Sequence, residues 1–218
     1  MAGERRLTQP DIIREVGSIC AGNSTQAFSQ MIKRSVVLEA PSLDSIAVRD
    51  IARNYRINDA MVIGVHCQML AGISGFVSLV FEEKTAYDFA SLFRSKAGES
   101  CGFLTEMGIS SIKEIGNIVV SAYSNTMSVL LRKSVIPSIP VLTSGMLSDV
   151  MSYGVKPADF QQQVYVHTMT FRAMSSRLSG SFLLILSPHA CREITAVMCA
   201  ELRSLHAARQ SLRKMNHG

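Results

Sequence analysis

The chain has 218 residues, 47% hydrophobic and 18% charged, with a formal net charge of +5. That composition supports a packed core in one large domain or two small ones and excludes a disordered chain. Its basic residues form no tract interleaved with aromatics and it has no Trp, which disfavours nucleic-acid binding, whereas an acidic protein partner fits the charge.

The opening MAGERRLTQP lacks the apolar core of a secretory signal, and runs such as Phe182-Leu183-Leu184-Ile185-Leu186 are strand-sized. A cytoplasmic protein without membrane insertion is expected. Five cysteines (Cys20, Cys67, Cys101, Cys191, Cys199) with no Cys-x-x-Cys read as buried hydrophobes or free thiols.

In chain order, Pro10 and Asp11 start a helix whose apolar face is Ile12, Val16, Ile19 and Cys20. A break is expected near Ala21-Gly22-Asn23, followed by a second helical segment through Phe28 and Ile32. A short strand from Ser35 to Leu38 leads to Pro41, and Leu43 to Tyr55 has helical spacing. Ala60 to Met69 and Gly75 to Phe81 read as strands around the turn Ala71-Gly72-Ile73-Ser74. Lys84 to Phe93 is an amphipathic helix, and Ser95 to Gly102 is a polar joint. The second half predicts a helix from Ser110, a strand around Val135 and Ile136, and a helical piece from Leu142 to Tyr153. Further on come a turn at Gly154 to Pro157, a strand from Gln163 to Phe171, a turn at Gly180 and a strand from Ser181 to Leu186. Ser187 and Pro188 open the last helix as cap and first helical residue. Each half thus predicts helix, strand, helix, strand, strand, helix.

Strands joined by tight turns imply antiparallel pairing. The expected fold is a single α+β domain, internally duplicated, with one antiparallel sheet built from two pseudo-twofold-related halves. The first repeat covers about residues 8–96 and the second about 105–214, with the motif helices exposed.

The duplication is carried by a frame. Ile13, Glu15, Gly17, Ile19, Ser29, Ser35, Val36 and Pro41 recur at one constant offset as Ile112, Glu114, Gly116, Ile118, Ser128, Ser134, Val135 and Pro140. Lys33-Arg34 becomes Arg132-Lys133 without insertion or deletion. In the second copy Ser110, Glu114 and Asn117 stand at i, i+4 and i+7, one helical face, while Ile112, Ile115, Val119 and Ala122 form the opposite, apolar one. Gly116 between the polar pair costs roughly 1 kcal/mol of helix propensity. Its missing side chain is expected to admit another backbone closely.

The spaced pattern Asp or Ser, three residues, Glu, two residues, Asn, twenty-two residues, Pro resembles the signature of the CheC/CheX/FliY family of chemotaxis phosphatases. Ser110, Glu114, Asn117 and Pro140 match it fully. Asp11, Glu15 and Pro41 match in the first copy, where Ser18 takes the Asn position. Length and the two-copy layout are most like the CheC branch. The resemblance covers nearly the whole chain and implies removal of the phosphoryl group from the aspartyl phosphate of a CheY-type response regulator.

It implies catalytic roles for Asn117 and Glu114. A carboxamide can hold the attacking water in line with the breaking P–O bond without bringing negative charge to the phosphoryl group. Glu114, one turn away, is expected to pair with the regulator's active-site Lys. Glu15 and Ser18 form a degenerate second site. Asp11 and Ser110 belong to the supporting motif with Gly17 and Gly116, and either could simply cap or solvate its helix. Pro41 and Pro140 are read as setting the chain path after a strand, without a chemical role. No cofactor of the chain's own is expected, Mg²⁺ being supplied in the regulator's pocket, and CheD is a further expected partner.

Other residues have plainer readings. The five histidines show no pairwise ligand spacing, so no metal site is expected. No Gly-rich phosphate loop or nucleophile elbow is present. Met69, Met127, Met169, Met174 and Met198 sit at core-like positions. Arg203, His206, Arg209, Arg213 and Lys214 either complement a helix dipole or meet an acidic partner. The alternatives to a phosphatase are a largely non-catalytic interaction module binding CheD or a regulator, and a structural part of the flagellar switch.

Overall fold

The computed structural model describes residues 7–39, 41–54, 61–92, 106–153, 162–174 and 178–215. The expected joint at Ser95 to Gly102 and the turn at Gly154 to Pro157 lie outside them.

Helix α1 (Gln9–Ile32) opens on a capping box, with the Thr8 and Asp11 side chains each accepting from the other's backbone N–H. It runs unbroken through Ala21-Gly22-Asn23, contrary to the expected break. Gly22 and Asn23 are exposed there, while Cys20, Ala21, Ser24 and Phe28 are buried around them. Burial of that stripe outweighs the propensity cost of one glycine. Ile19 is 41% exposed, and Ile13 takes the inward place assigned to it.

Helix α1 ends at Lys33, in the left-handed region with φ 52°. The Ser29 hydroxyl then accepts from Val36 N–H at 3.1 Å. Helix α4 (Glu106–Leu131) ends identically. Arg132 has φ 49° and Ser128 Oγ accepts from Val135 N–H at 2.9 Å. The repeated serines and Lys-Arg pair are therefore a helix-to-strand junction built twice.

After α1 come β1 (Val36–Leu38), β2 (Ser42–Ala47), a 3₁₀ turn (Val48–Asp50) and α2 (Ile51–Asn54). These lead into β3 (Met61–Ala71), β4 (Gly75–Glu82) and α3 (Glu83–Leu92). After α4 follow β5 (Ile136–Pro137), β6 (Val141–Met146), α5 (Leu147–Met151), β7 (Gln163–Ala173), β8 (Ser179–Leu186) and α6 (Pro188–Met215). The helices expected over Leu43 to Tyr55 and Leu142 to Tyr153 are thus each a strand followed by a short helix. Apolar residues at i, i+3 and i+4 satisfied the helical period. Pairing overrode it: β2 joins β7 from Ser42↔Thr168 to Ala47↔Gln163, and β6 joins β3 from Met61↔Met146 to His66↔Val141.

All eight strands form one antiparallel sheet in the order β1-β7-β8-β4-β3-β5, with β2 also on β7 and β6 also on β3. Strands from before α4 thus pair with strands from after it on both flanks, and β4 meets β8 at the centre. Neither half has a complete sheet without the other.

Strand residues alternate between two apolar layers. Ile63, Val65, Cys67, Met69, Met169 and Phe171 face the core with α1, α4 and α6, where Phe28, Tyr123 and Phe182 are buried. Val62, Val80, Val164, Val166 and Leu183 face a second layer under α2 and α5, completed by Ile51, Leu147 and Val150. Gly180 lies within β8, not in a turn. A Cβ there would meet Phe171 Cζ at 2.5 Å and Phe81 Cδ1 at 2.7 Å, so glycine makes room for two aromatic rings. Met174, expected inside, is 67% exposed, whereas Met69, Met127 and Met169 are core residues. Cys20, Cys67 and Cys191 are buried thiols. Among the described residues no helix is long and apolar enough to cross a membrane.

Candidate functional site

The motif helices are seated by their glycines. A Cβ on Gly116 would collide with Val65 Cγ1 of β3, and one on Gly17 would lie 2.5 Å from His167 Cε1 of β7. Both glycines are buried. They admit sheet side chains from below, not an outside backbone at the surface as the sequence suggested. With Ile112 and Ile115 fully buried and Val119 nearly so, α4 is held at a fixed rotation. Glu114 and Asn117 therefore point into solvent.

Ser110, Lys113, Glu114, Asn117 and Ser121 of α4 line an open cleft of about 650 Å³, closed on its other side by Pro137, Ser138, Ile139 and Pro140. The full second motif thus comes together, and Pro140 forms part of the wall, beyond the purely path-setting place expected for it. Among the described residues neither the Glu114 nor the Asn117 side chain makes a hydrogen bond or ion pair. Ser110 is exposed within the helix, so it lines the cleft and does not cap.

The far wall is pinned to the sheet. Ser138 N–H donates to the Gln68 carbonyl at 2.8 Å, and Gln68 N–H donates to Ser138 Oγ at 3.0 Å. Lys113, Ser121, Ser138 and Ile139 were not singled out from the sequence. Proximity to Pro140 in the repeat frame was the one available signal for Ser138 and Ile139. For Lys113 and Ser121 it was membership of the helical face shared with Glu114 and Asn117.

The first copy is placed alike and wired differently. Glu15 is exposed, but the Ser18 hydroxyl donates to the Arg14 carbonyl at 2.7 Å. Asp11 is engaged by the capping box, with Arg14 at 3.8 Å. Glu39 occupies the frame position of Ser138, its N–H donating to the Thr170 carbonyl as Ser138 does to Gln68, and its carboxylate accepts from Arg172 at 2.9 Å. Pro41 is half-buried.

His167 beneath Gly17 is fully buried. Among the described residues neither ring nitrogen has a partner in good hydrogen-bond geometry, although the Arg14 backbone lies close by. Burial pushes its pKa down to about 4, so the ring is neutral at physiological pH. His66 is also held down to about 4 by burial, its ring nitrogens bonded to Ser78 at 2.9 Å and Thr143 at 2.7 Å. Among the described residues no three His, Cys, Asp or Glu side chains converge on a point where a metal could bind.

The cleft offers a neutral carboxamide, a carboxylate and an ammonium on a shallow surface. Such a surface suits a group presented by a macromolecule better than an enclosed small molecule.

No family model matches the chain. The CheY-P phosphatase CheC of Bacillus subtilis (strain 168) is 26% identical over 149 residues, covering 67% of this chain and 71% of that protein. Thermotoga maritima FliY superimposes with a TM-score of 0.71 over 90% of this chain and 99% of its own, at 18% identity. The FliM middle domain from H. pylori does so with a TM-score of 0.63 over 87% and 98%, at 12% identity. These two structural likenesses are likenesses of fold.

Proposed function

We propose that this chain is a member of the CheC/CheX/FliY family and that it hydrolyses the aspartyl phosphate of a CheY-type response regulator. The observation that carries the proposal is the outward, unengaged pair Glu114 and Asn117 on one turn of α4, beside the wall that ends in Pro140.

Glu114 docks the regulator by pairing with its active-site Lys across the interface. That contact sets Asn117 over the phosphoryl group. The Asn117 carboxamide oxygen accepts from a water, which is thereby held in line with the P–O bond that breaks. The Lys and Mg²⁺ of the regulator's own pocket neutralise the charge that spreads over the phosphoryl oxygens. Asn117 adds no negative charge there. The chain contributes no nucleophile and no metal of its own, only orientation. A cytoplasmic location and CheD as a second partner belong to the same reading.

Phosphate release from a phosphorylated CheY-type receiver tests this, with and without the chain and with Asn117→Ala. The chain should accelerate release, and Asn117→Ala should lower turnover roughly 10²–10³-fold, as for loss of one preorganised polar group. Binding of the receiver should largely survive. Turnover within a few fold of wild type would sink the assignment.

The likeness in fold to the FliM middle domain favours one other reading, a non-catalytic docking or switch component. Stoichiometric binding of the phosphorylated receiver without turnover would select it.

A further inference from the structure

We propose that Ile139 is the apolar anchor on which the phosphorylated receiver docks, a binding residue outside the chemistry at Asn117; the inference rests on the functional reading above. Ile139 is 86% exposed. Single exposed aliphatic residues are ordinary, and Val129 at 77% and Leu70 at 64% are of that kind. Two features set Ile139 apart from them.

The first is rigidity. Pro137 and Pro140 flank it and fix their own φ angles. Ser138 is bonded to Gln68 through both its N–H and its Oγ, and that Oγ also donates to the Ile139 carbonyl at 3.1 Å. An apolar side chain presented on a backbone already ordered loses little entropy when covered.

The second is position. Ile139 lines the same cleft as Glu114 and Asn117. A partner that brings its phosphorus to the Asn117 carboxamide therefore lies over Ile139 as well. The charged Glu114 contact comes from α4 and the apolar Ile139 contact from the segment between β5 and β6, so together they hold the partner at two points of one cleft. The partner surface that fits carries a Lys at its phosphorylation pocket and an apolar patch beside it. In the sequence frame of the first half the matching residue is Ala40, so this anchor belongs to the second half.

The test uses a CheY-type receiver activated with beryllofluoride for binding and phosphorylated for turnover. Ile139→Ser should weaken binding and raise KM about tenfold, the loss of one interface anchor, with kcat and Tm unchanged. Ile139→Leu should restore the wild-type KM. If Ile139→Ser binds like wild type while Asn117→Ala abolishes turnover, the anchor is wrong and the phosphatase reading stands. A fall in kcat alone, or a lowered Tm, also overturns the anchor. If Asn117→Ala turns over normally, the phosphatase reading fails, and Ile139 is then judged on binding alone. A wild-type chain that does not bind the receiver overturns both.

Discussion

The imidazole of His167 occupies the space that a side chain on Gly17 would fill, its Cε1 lying 2.5 Å from that Cβ position. In the other half Val65 stands under Gly116 in the same way. Each motif helix therefore rests on the sheet at a glycine, and the strand beneath it comes from the opposite half of the chain.

Filling either glycine should cost stability. Gly17→Ala and Gly116→Ala each gain up to about 1 kcal/mol in helix propensity but force a methyl group into a packed side chain, an overpacking worth roughly 1–3 kcal/mol. Urea unfolding should show both variants destabilised on balance. Gly116→Ala should also lower phosphate release, because it tilts the helix that carries Asn117, whereas Gly17→Ala should not. Two variants as stable as wild type would mean that the helices lift off at no cost.

Reversing the charge at Glu114 separates docking from chemistry. Glu114→Lys sets a cation against the regulator's expected Lys. Complex formation should fall below detection while the circular dichroism spectrum stays that of wild type, since the side chain is exposed and unengaged. Normal binding would reduce Glu114 to a surface residue.

The two copies should not be equivalent. Ser18 is shorter than Asn, and its hydroxyl is bonded to the Arg14 carbonyl, so a water on it would sit too far back; a misplacement of about 1 Å can cost 10²-fold. In the Asn117→Ala background the residual turnover should be near that of the receiver alone, and adding Ser18→Asn should return some of it. Robust turnover in Asn117→Ala alone would show that Ser18 suffices. No return with Ser18→Asn would show that the first surface, with Asp11 and Glu39 engaged in their own contacts, no longer docks the regulator.

Acid should weaken the fold through its buried imidazoles. His167 and His66 titrate near 4 in the folded chain against 6.5 when free, in both cases because burial disfavours the cation. Between those values the unfolded chain binds more protons, so stability rises with pH across the window and falls as pH drops through it. Urea midpoints should therefore decline from about pH 7 to about pH 4.5. His167→Val, which copies the Val65 arrangement, should flatten part of that decline and leave the share due to His66. An unchanged slope would place His167 outside the titration.

Much of the fold was legible because it is local. The face of Ile112, Ile115 and Val119 follows from helical period, and all three are buried. The turn at Gly72, with φ 87°, follows from glycine's freedom in the left-handed region. The frame of Ser29, Lys33-Arg34 and Val36 was visible as a repeat, though its meaning as a junction with a left-handed residue was not.

The sequence by itself determined which residues share a helical face and which positions recur, since both are set within a few turns of chain. Tertiary structure decided the rest. Ser42 to Ala47 became a strand only because β7 offered it a partner, and strand pairing is a non-local interaction that propensity does not encode. Pro140 and Ile139 came to stand opposite Asn117 because the segment after β5 is tied to Gln68 of a strand in the other half. The glycines of the motif faced inward because Val65 and His167 were waiting beneath them, contributed by strands that no period in the helix could have announced.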